Sequence, residues 1–396
     1  MEERLNQVKA FIDGMMAQDD VGKMYKVYGD AIGQLTPRDV FRLMSSYEAP
    51  PSEVLPFVDK LVNVFYKPLK AYEWKRPAEH TFLYYLTLEN DGLTDVLEQY
   101  KKLSAEQNTL LDPERVLTLL DTCALYNSHL LKLENILFPY LERASDDFRG
   151  VKILWSMHDA TRQLMKDMRQ TLSEITPDYD LLNAQLGALF FKLYGLIQKQ
   201  TLILFPAAST ALDEKTFEAM HLQSFDYEFP YIEAPVRPAG SLKTFLGEAG
   251  EKETGEKTGE ETLSFETGRL TVKQIEMLIN HLPADMTFVD AFDKVAFFSN
   301  GKHRIFPRSV AVIGRDVRNC HPAESVHVVE KILEDFKSGA KDQEDFWLQM
   351  NGQFILIQYF AVRDESGIYM GTLEVSQEIS DIKALTGEKR LLSESE

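Results

Sequence analysis

The stretch DFWLQMNGQFILIQYFAVR, residues 345–363, decides the fold of the C-terminal third of the chain. Two apolar runs flank the dipeptide Asn351-Gly352. Asn-Gly between apolar runs is a strong signal for a two-residue hairpin, because both residues tolerate a positive φ. The stretch therefore predicts two antiparallel strands, Asp345–Met350 and Gln353–Arg363.

Further strands and two helices are predicted on both sides of this hairpin. The turn at Asp364–Gly367 leads into another strand, and an earlier pair of short strands is joined around Ala291–Asp293. The predicted elements outside the hairpin are a helix Thr271–Leu282, strands Met286–Asp290 and Lys294–Phe298, a helix Ser325–Lys337 and a strand Ile368–Gln377. Their order predicts an α+β domain over residues 269–385, with a five-stranded antiparallel sheet.

The N-terminal part is predicted to be all-α, because apolar residues recur at helical spacing and strand patterns are almost absent. Residues 1–75 predict a small domain of three helices, one of them capped by Thr36. Residues 78–225 predict a four-helix bundle. Leu137-Phe138-Pro139 recurs as Leu204-Phe205-Pro206 after 67 residues, which is about the length of one helical hairpin.

The two parts are joined by a stretch of different composition. Residues 226–268 begin with three prolines, and seven Glu and two Lys lie between Glu248 and Thr267. Such a stretch buries too little apolar surface to offset the loss of chain entropy. It is predicted to be an acidic flexible linker, and residues 386–396 are predicted to be a charged tail.

The overall charge excludes several classes of partner. The chain of 396 residues has 43 Lys and Arg against 62 Asp and Glu, a formal net charge of −19. Nucleic acid and anionic membrane surfaces are poor partners for such a chain. Only two cysteines are present, and neither a signal peptide nor a membrane-spanning stretch is recognised, so a cytoplasmic protein is expected. The usual hydrolase, P-loop, metalloprotease and dinucleotide motifs are missing from the sequence, so no enzyme activity is predicted.

Several longer strings of residues are familiar. In the C-terminal third they are Leu282–Asp290 (LPADMTFVD), Arg304–Ser309 (RIFPRS), Val312–Arg315 (VIGR), Asn319–Pro322 (NCHP), Ser325–Lys331 (SVHVVEK) and Tyr359–Asp364 (YFAVRD). In the helical part they are Glu134–Glu142 (ENILFPYLE), Trp155 and His158-Asp159. With these strings the chain resembles a bacterial family that combines an N-terminal helical domain of unknown function, a hemerythrin-like (HHE cation-binding) bundle and a C-terminal PAS domain. The resemblance covers nearly the whole chain, and it implies sensing without implying a reaction.

The resemblance also implies a di-iron centre inside the bundle, held by histidines and bridging carboxylates. His80, His129 and His158 stand at positions that resemble ligand histidines, and Glu134 is the nearby carboxylate. Glu134 follows His129 by five residues, which is about 140° round a helix, so it is a poor co-ligand. In the second hairpin, the positions of a histidine and of carboxylates hold other residues, namely Leu196, Gln200 and Thr201. The prediction is a bundle that has lost its iron. The alternatives are a weak mononuclear site at the three histidines, to which Glu89 or Asp159 could add a ligand, and a working di-metal centre.

The PAS region has its own candidate ligand site. Between Lys302 and Arg318 five basic residues face a single acidic one, and arginine forks suit carboxylate or phosphate groups. The candidate ligand-binding residues are His303, Arg304, Arg308, Arg315, Cys320, His321 and His327. A carboxylate metabolite or a non-covalent haem would fit, with His327 as an axial ligand. Cys320 is a candidate redox sensor. The alternatives are structural pairing of the arginines with acidic residues and a buried, inert thiol.

The functional prediction is a sensor or signalling adaptor without enzyme activity. Its PAS domain would bind a small molecule and form a homodimer, and the protein partner that receives the signal is unknown. A different class of function is a metal-dependent protein that handles oxygen, nitric oxide or redox chemistry in the helical bundle.

Overall fold

The computed structural model describes residues 2–17, 20–46, 51–75, 77–107, 112–237, 262–302, 304–322, 324–350 and 352–388, with the backbone alone at 51–57, 59 and 107. The chain forms two compact units, Met1–Lys252 and Glu253–Glu396. Among the helices described, none combines the length and the apolar content that a bilayer crossing requires.

The first unit begins with four helices, α1 Glu2–Met16, α2 Val21–Gly33, α3 Pro37–Ser45 and α4 Pro51–Ala71. The predicted cap is present, because the Thr36 hydroxyl accepts a hydrogen bond from the Asp39 N–H and the Asp39 carboxylate accepts one from the Thr36 N–H. The prediction of three helices in this region is wrong. Asp20 caps a further helix through the Lys23 N–H, a start signal that was overlooked.

The predicted four-helix bundle follows. It consists of four long helical rods, two of which are made of several consecutive helices. Its helices are α5 Phe82–Gln107, α6 Pro113–Ala124, α7 Asn127–Lys132, α8 Phe138–Ala144, α9 Val151–Ser173, α10 Tyr179–Lys199 and α11 Phe205–Ala211, and α12 Glu214–Ser224 comes after them. The segments α6 to α8 form the second rod, and α10 with α11 forms the fourth. One buried apolar cluster runs through the first four helices and the bundle, and the rings of Phe41 and Phe148 are 5.2 Å apart within it. The boundary between residues 75 and 78 stays a prediction.

The repeated Leu-Phe-Pro strings mark two matching irregularities. Each string begins with the last residue of a single wide π-helical turn, Leu133–Leu137 or Gln200–Leu204, in which an N–H bonds to the carbonyl five residues earlier. Proline lacks the N–H that a regular α-helical turn would require. Pro139 and Pro206 each lie in the first turn of the helix after the wide turn. The two wide turns therefore occur at equivalent positions of the repeated sequence.

The second unit contains a five-stranded antiparallel sheet in the order β4-β3-β7-β6-β5. Its strands are β3 Asp285–Asp290, β4 Val295–Phe298, β5 Gln343–Met350, β6 Gln353–Arg363 and β7 Tyr369–Glu378, and its helices are α13 Val272–His281, α14 Val326–Ser338 and α15 Ser380–Ala384. Met350 pairs with Gln353, and Gly352 has a φ of 78°, as the two-residue hairpin requires. The predicted α+β domain and its sheet are confirmed.

The linker prediction is wrong at both of its ends. Residues 226–237 pack on the bundle, where the Tyr231 hydroxyl donates to the Thr122 carbonyl at 2.9 Å. Residues 262–271 form a hairpin, β1 Thr262–Phe265 with β2 Gly268–Thr271. Aromatic residues in the first segment explain its packing, since Tyr227 and Tyr231 contact the buried apolar clusters of the bundle. Residues 238–261, and the predicted tail beyond residue 388, lie outside the described part of the chain.

Candidate functional site

The interior of the bundle contains an unusual number of buried polar side chains. Glu89, His129, Lys132, Glu134 and His158 are each at most 2% exposed. Charged side chains are rarely buried so completely unless they are paired. The partners of these five side chains therefore define what the interior can do.

The first group forms around Glu89 on α5. One carboxylate oxygen is 2.8 Å from Nδ1 of His129, and the other accepts a hydrogen bond from the Lys132 ammonium. The ammonium also lies 4.2 Å from the centre of the Phe229 ring, in the segment that follows the bundle. Glu89 is thus bound by an imidazole and by a cation from the second rod.

The second group forms around Glu134, in the wide turn of the second rod. Its Oε1 is 2.7 Å from Nδ1 of His158, and the Arg162 guanidinium donates to both carboxylate oxygens at 2.8 and 2.9 Å. Arg162 also bonds to Asp159 and Asn127 at 2.7 and 2.8 Å. Glu134 is therefore bound by an imidazole and a cation from the third rod.

Helical spacing explains why each histidine has a cation beside it. Lys132 is three residues after His129, and Arg162 is four residues after His158. Residues three or four apart lie on the same face of a helix. In both groups the histidine and the cation face a carboxylate on the preceding rod of the bundle.

Neutral side chains complete the interior. Gln200, at the start of the second wide turn, has its Oε1 2.8 Å from both Nε2 of His129 and the Asn90 amide nitrogen. The buried Tyr126 hydroxyl donates to Asn90 Oδ1 at 2.6 Å, and its ring stacks on His129 at 4.5 Å. His129 therefore has partners on both ring nitrogens.

Burial sets the direction of the pKa shifts of His158 and Lys132, but not that of Arg162. It lowers the pKa of His158, against the opposing effect of Glu134. It also lowers the pKa of Lys132, although Glu89 opposes the shift. Burial acts to lower the pKa of Arg162, but Glu134 and Asp159 outweigh it and hold the pKa above its usual value.

These donors do not fit the pair of metal ions that the resemblance implies. Both carboxylates are already bound by cations of the chain, and a metal ion would have to displace an ammonium or a guanidinium. Gln200 supplies only a neutral amide where a bridging carboxylate is needed. Within the described ranges, no group of three or more His, Cys, Asp or Glu side chains is arranged to hold a metal ion.

His80 does not belong to this interior, which corrects the prediction that three histidines share a site. It lies in the turn before α5, with a φ of 64°, and it is exposed. Its Nδ1 is 2.9 Å from the Tyr85 hydroxyl. The helix begins at Phe82, so His80 precedes the rod on which it was placed.

The second unit has a small cavity between α14 and the sheet, with a volume of about 30 Å³. Val329, Ile332 and Leu333 of the helix form its apolar side. The polar lining residues are His321, Tyr359, Thr372 and Glu374. A cavity of this size holds one or two water molecules.

Two basic residues of the predicted site, Arg308 and Arg318, form ion pairs with acidic residues of the same domain. Arg308 donates to Asp285 at 3.1 Å and to Glu374 at 2.9 Å, and these ion pairs raise its pKa although burial acts against them. Arg318 pairs with Asp293 and Asp316, at 2.9 and 3.2 Å.

The other two arginines are also bound to the fold. Arg304 donates to the carbonyl of Arg308 at 2.7 Å. Arg315 is buried, with main-chain bonds to Val295 and Val312. Of the four arginines between Lys302 and Arg318, Arg308 and Arg318 thus have the acidic partners that the structural alternative expected.

The remaining candidates are spread over the domain. His321 lines the cavity, with Nδ1 2.8 Å from the Val317 carbonyl. Cys320 is half-buried, with Sγ 3.7 Å from the Asp316 carbonyl. His327 is exposed and points away from the cavity, because the residues two, five and six positions further along α14 face it. The prediction of His327 as an axial ligand is therefore wrong, and His303 lies outside the described residues.

A haem does not fit the cavity in this structure. A volume of about 30 Å³ is far below the size of a porphyrin. A smaller ligand would meet the Glu374 carboxylate and the Tyr359 phenol.

Comparison with known proteins agrees with this division of the chain. A hemerythrin HHE cation binding domain model matches residues 81–208, and a PAS domain model matches residues 275–380. Among solved structures, the C-terminal domain of a Streptococcus mutans protein is 31% identical, with a TM-score of 0.30, over 32% of this chain and 98% of that one. The PAS domain of a Colwellia psychrerythraea protein is 15% identical, with a TM-score of 0.23, over 28% of this chain and 98% of that one. None of the curated proteins matches the chain.

The class is therefore that of proteins with a hemerythrin HHE domain and a PAS domain on one chain. The chain contains both of these domains, and a helical region precedes them, as the resemblance indicated. Both domains fit a role in sensing or signalling. The two matches lie within the predicted ranges 78–225 and 269–385, whose boundaries stay predictions.

The cations that bind the buried carboxylates were not among the predicted site residues. Lys132 and Arg162 each stand one helical turn after a histidine, and that spacing was a usable signal. Asn90 and Tyr126 gave no local signal, because their role depends on how the rods face one another.

Proposed function

We propose that this protein is a sensor or signalling adaptor without enzyme activity, and that its PAS domain binds a small molecule between α14 and the sheet. The observation that carries the proposal is the mixed lining of the cavity. Apolar side chains of one helix face a carboxylate, a phenol and an imidazole on the other side. Ligand pockets typically combine an apolar wall with a few convergent polar groups.

The cavity favours a ligand that donates hydrogen bonds. Glu374 lines it as a carboxylate, and the guanidinium nearest to that carboxylate, Arg308, is already bound to both Glu374 and Asp285. A carboxylate metabolite would have to draw Arg308 away from both partners. We therefore propose a small neutral or cationic molecule in place of the carboxylate or haem first expected.

Signalling would follow from the small size of the cavity. A ligand larger than a few water molecules has to move α14 away from the sheet, and it thereby selects a different conformation of the domain. The expected homodimer stays a prediction. Exposed apolar side chains on α13 and β5, including Leu278 and Trp347, would supply its surface. The protein partner that receives the signal is not identified.

We also propose that the bundle has lost its di-iron centre. The support is that Lys132 and Arg162 bind the two buried carboxylates. The competing function, metal-dependent handling of oxygen, nitric oxide or redox chemistry, requires bound iron. Metal analysis and a visible spectrum of the purified chain separate the two functions.

Native mass spectrometry of the full chain tests ligand binding. The wild-type protein, purified under non-denaturing conditions from a cell extract, should carry a small non-covalent adduct. Val329→Phe places a ring in the cavity and should abolish the adduct. His327→Phe, on the exposed side of the same helix, should keep it. A wild-type protein without an adduct, or an adduct that survives Val329→Phe, contradicts the proposal.

A further inference from the structure

Every carboxylate oxygen of the two buried glutamates has a nitrogen partner. Glu89 is bound by His129 at 2.8 Å and by Lys132, and Glu134 is bound by His158 at 2.7 Å and by Arg162 at 2.8 and 2.9 Å. The pattern is the same in both groups, with one imidazole and one cation per carboxylate. It occurs inside a domain whose family model is described as cation binding.

The charges of the two groups balance without an added ion. Two carboxylates face one ammonium and one guanidinium, and the guanidinium stays charged at every physiological pH. A divalent ion placed against either carboxylate would lie close to a cation of the chain. Repulsion between like charges is strong in a buried site, where the effective dielectric constant is far below that of water.

The histidines nevertheless remain oriented as metal ligands are. Nε2 of His129 lies 2.8 Å from the amide oxygen of Gln200, a contact of the kind that fixes ligand imidazoles around protein metal ions, and Nδ1 faces Glu89. Nε2 of the fully buried His158 has no hydrogen-bond partner among the described residues. The imidazole is therefore held in place with a ring nitrogen that nothing uses.

We propose that Lys132 and Arg162 are built-in cations that replace metal ions in this bundle, and that removal of Lys132 opens a divalent-metal site based on Glu89 and His129. The inference rests on the proposed loss of the di-iron centre and names its physical cause. Lys132 is the cation to remove first, because its ammonium binds Glu89 alone among carboxylates of the described residues, whereas Arg162 also holds Asp159 and Asn127.

Titration of the full chain with Co²⁺, followed by visible absorbance and by the melting temperature, tests the proposal. Wild-type protein should give no visible band, and neither Co²⁺ nor EDTA should change its Tm. Lys132→Ala leaves Glu89 without its cation and should lower the Tm by about 6–20 °C without metal. Co²⁺ should restore much of that loss and produce a visible band, and a further His129→Ala change should abolish both effects.

The matched control is Lys102→Ala, at an exposed position on the same helix as Glu89. It should leave the Tm nearly unchanged and gain no Co²⁺ band. If Lys132→Ala folds but gains no affinity for Co²⁺, the inference fails while the proposed loss of iron stands. If the wild-type chain binds Co²⁺ through His129, both fail.

A second variant covers the case in which Lys132→Ala does not fold. The neutral pair Glu89→Gln with Lys132→Met removes both charges and should melt within a few degrees of the wild-type protein, without binding Co²⁺. A pair variant that is as unstable as the single variant overturns the inference, because charge compensation would then not be what Lys132 supplies.

Discussion

The bundle and the PAS domain both bury carboxylates, and both bind them with cations of the chain. In the bundle each of the two fully buried glutamates has its own cation, Lys132 on Glu89 and Arg162 on Glu134, and the second carboxylate on Arg162, Asp159, is only partly buried. In the PAS domain one cation, Arg308, binds two carboxylates, Asp285 on β3 and Glu374 on β7. Each domain thus neutralises carboxylates with cations of its own, but the ratio of cations to carboxylates differs between the two domains.

The ratio has a consequence for ligand binding. The carboxylate oxygens in the bundle are all bound from within, and a histidine completes each group. In the PAS domain Glu374 binds Arg308 and still forms part of a cavity wall. A buried carboxylate is therefore available to a ligand only where groups of the chain do not already bind all of its oxygens.

The largest effect is expected from the cation that serves two carboxylates. Arg308→Met leaves Asp285 and Glu374 buried without their cation, so the PAS domain should lose about 3–5 kcal/mol of its free energy of unfolding. Arg308→Lys should cost less, although it loses the bidentate geometry. Urea unfolding of the full chain, followed by hydrogen exchange in strands β3 and β7, measures the loss.

Lys302→Met is the matched control, since Lys302 is exposed in the loop that leads to Arg308. It should leave exchange in both strands unchanged. If Arg308→Met proves as stable as this control, Arg308 does not serve the two carboxylates, and the parallel with the bundle is lost.

Much of the architecture could be predicted from the sequence because its signals are local. Asn351-Gly352 predicts a hairpin through backbone conformation alone, and the repeated Leu-Phe-Pro strings predict two related hairpins. The partners of the buried charges could not be predicted in this way. Glu89 and Lys132 are 43 residues apart, and only the packing of two rods brings them together.

The PAS arginines show the opposite error. Their clustering between Lys302 and Arg318 predicted an anion site, because the sequence does not indicate which acidic residues lie opposite. Arg308 and Glu374 are 66 residues apart and meet across the sheet. A cluster of like-charged residues in the sequence therefore says little about the net charge of that site in the folded domain.

A smaller effect is expected from the neutral part of the bundle interior. Tyr126→Phe removes a hydroxyl that donates to Asn90 at 2.6 Å, and it leaves a buried amide oxygen without that donor. The free energy of unfolding should fall by about 1–3 kcal/mol, measured by urea denaturation. Tyr179→Phe, at an exposed position on α10, is the control and should have no measurable effect. Equal stability of the two variants would mean that the amide network adds nothing to the ion pairs.

The smallest expected effect, counted per unit of pH, comes from protonation of His221, a buried histidine at the edge of the bundle. Burial, and to a lesser extent the nearby His80 and Lys132, lowers the pKa of His221 from 6.5 to about 4, and its ring stacks on Tyr85 at 5.1 Å. Between these two pKa values the unfolded chain binds a proton that the folded chain does not. Stability should therefore fall as the pH decreases from 6.5 to about 4, by at most about 1.4 kcal/mol per pH unit from this group.

Other groups titrate in the same range, so the contribution of His221 is the difference between the wild-type protein and His221→Gln at each pH. That difference should shrink as the pH decreases through this window and become constant below it. His281→Gln changes an exposed histidine of the second unit and should give a curve parallel to that of the wild-type protein. If the difference for His221→Gln does not vary with pH, His221 is not protected from protonation. Burial at the edge of the bundle would then protect this imidazole no more than a surface position does.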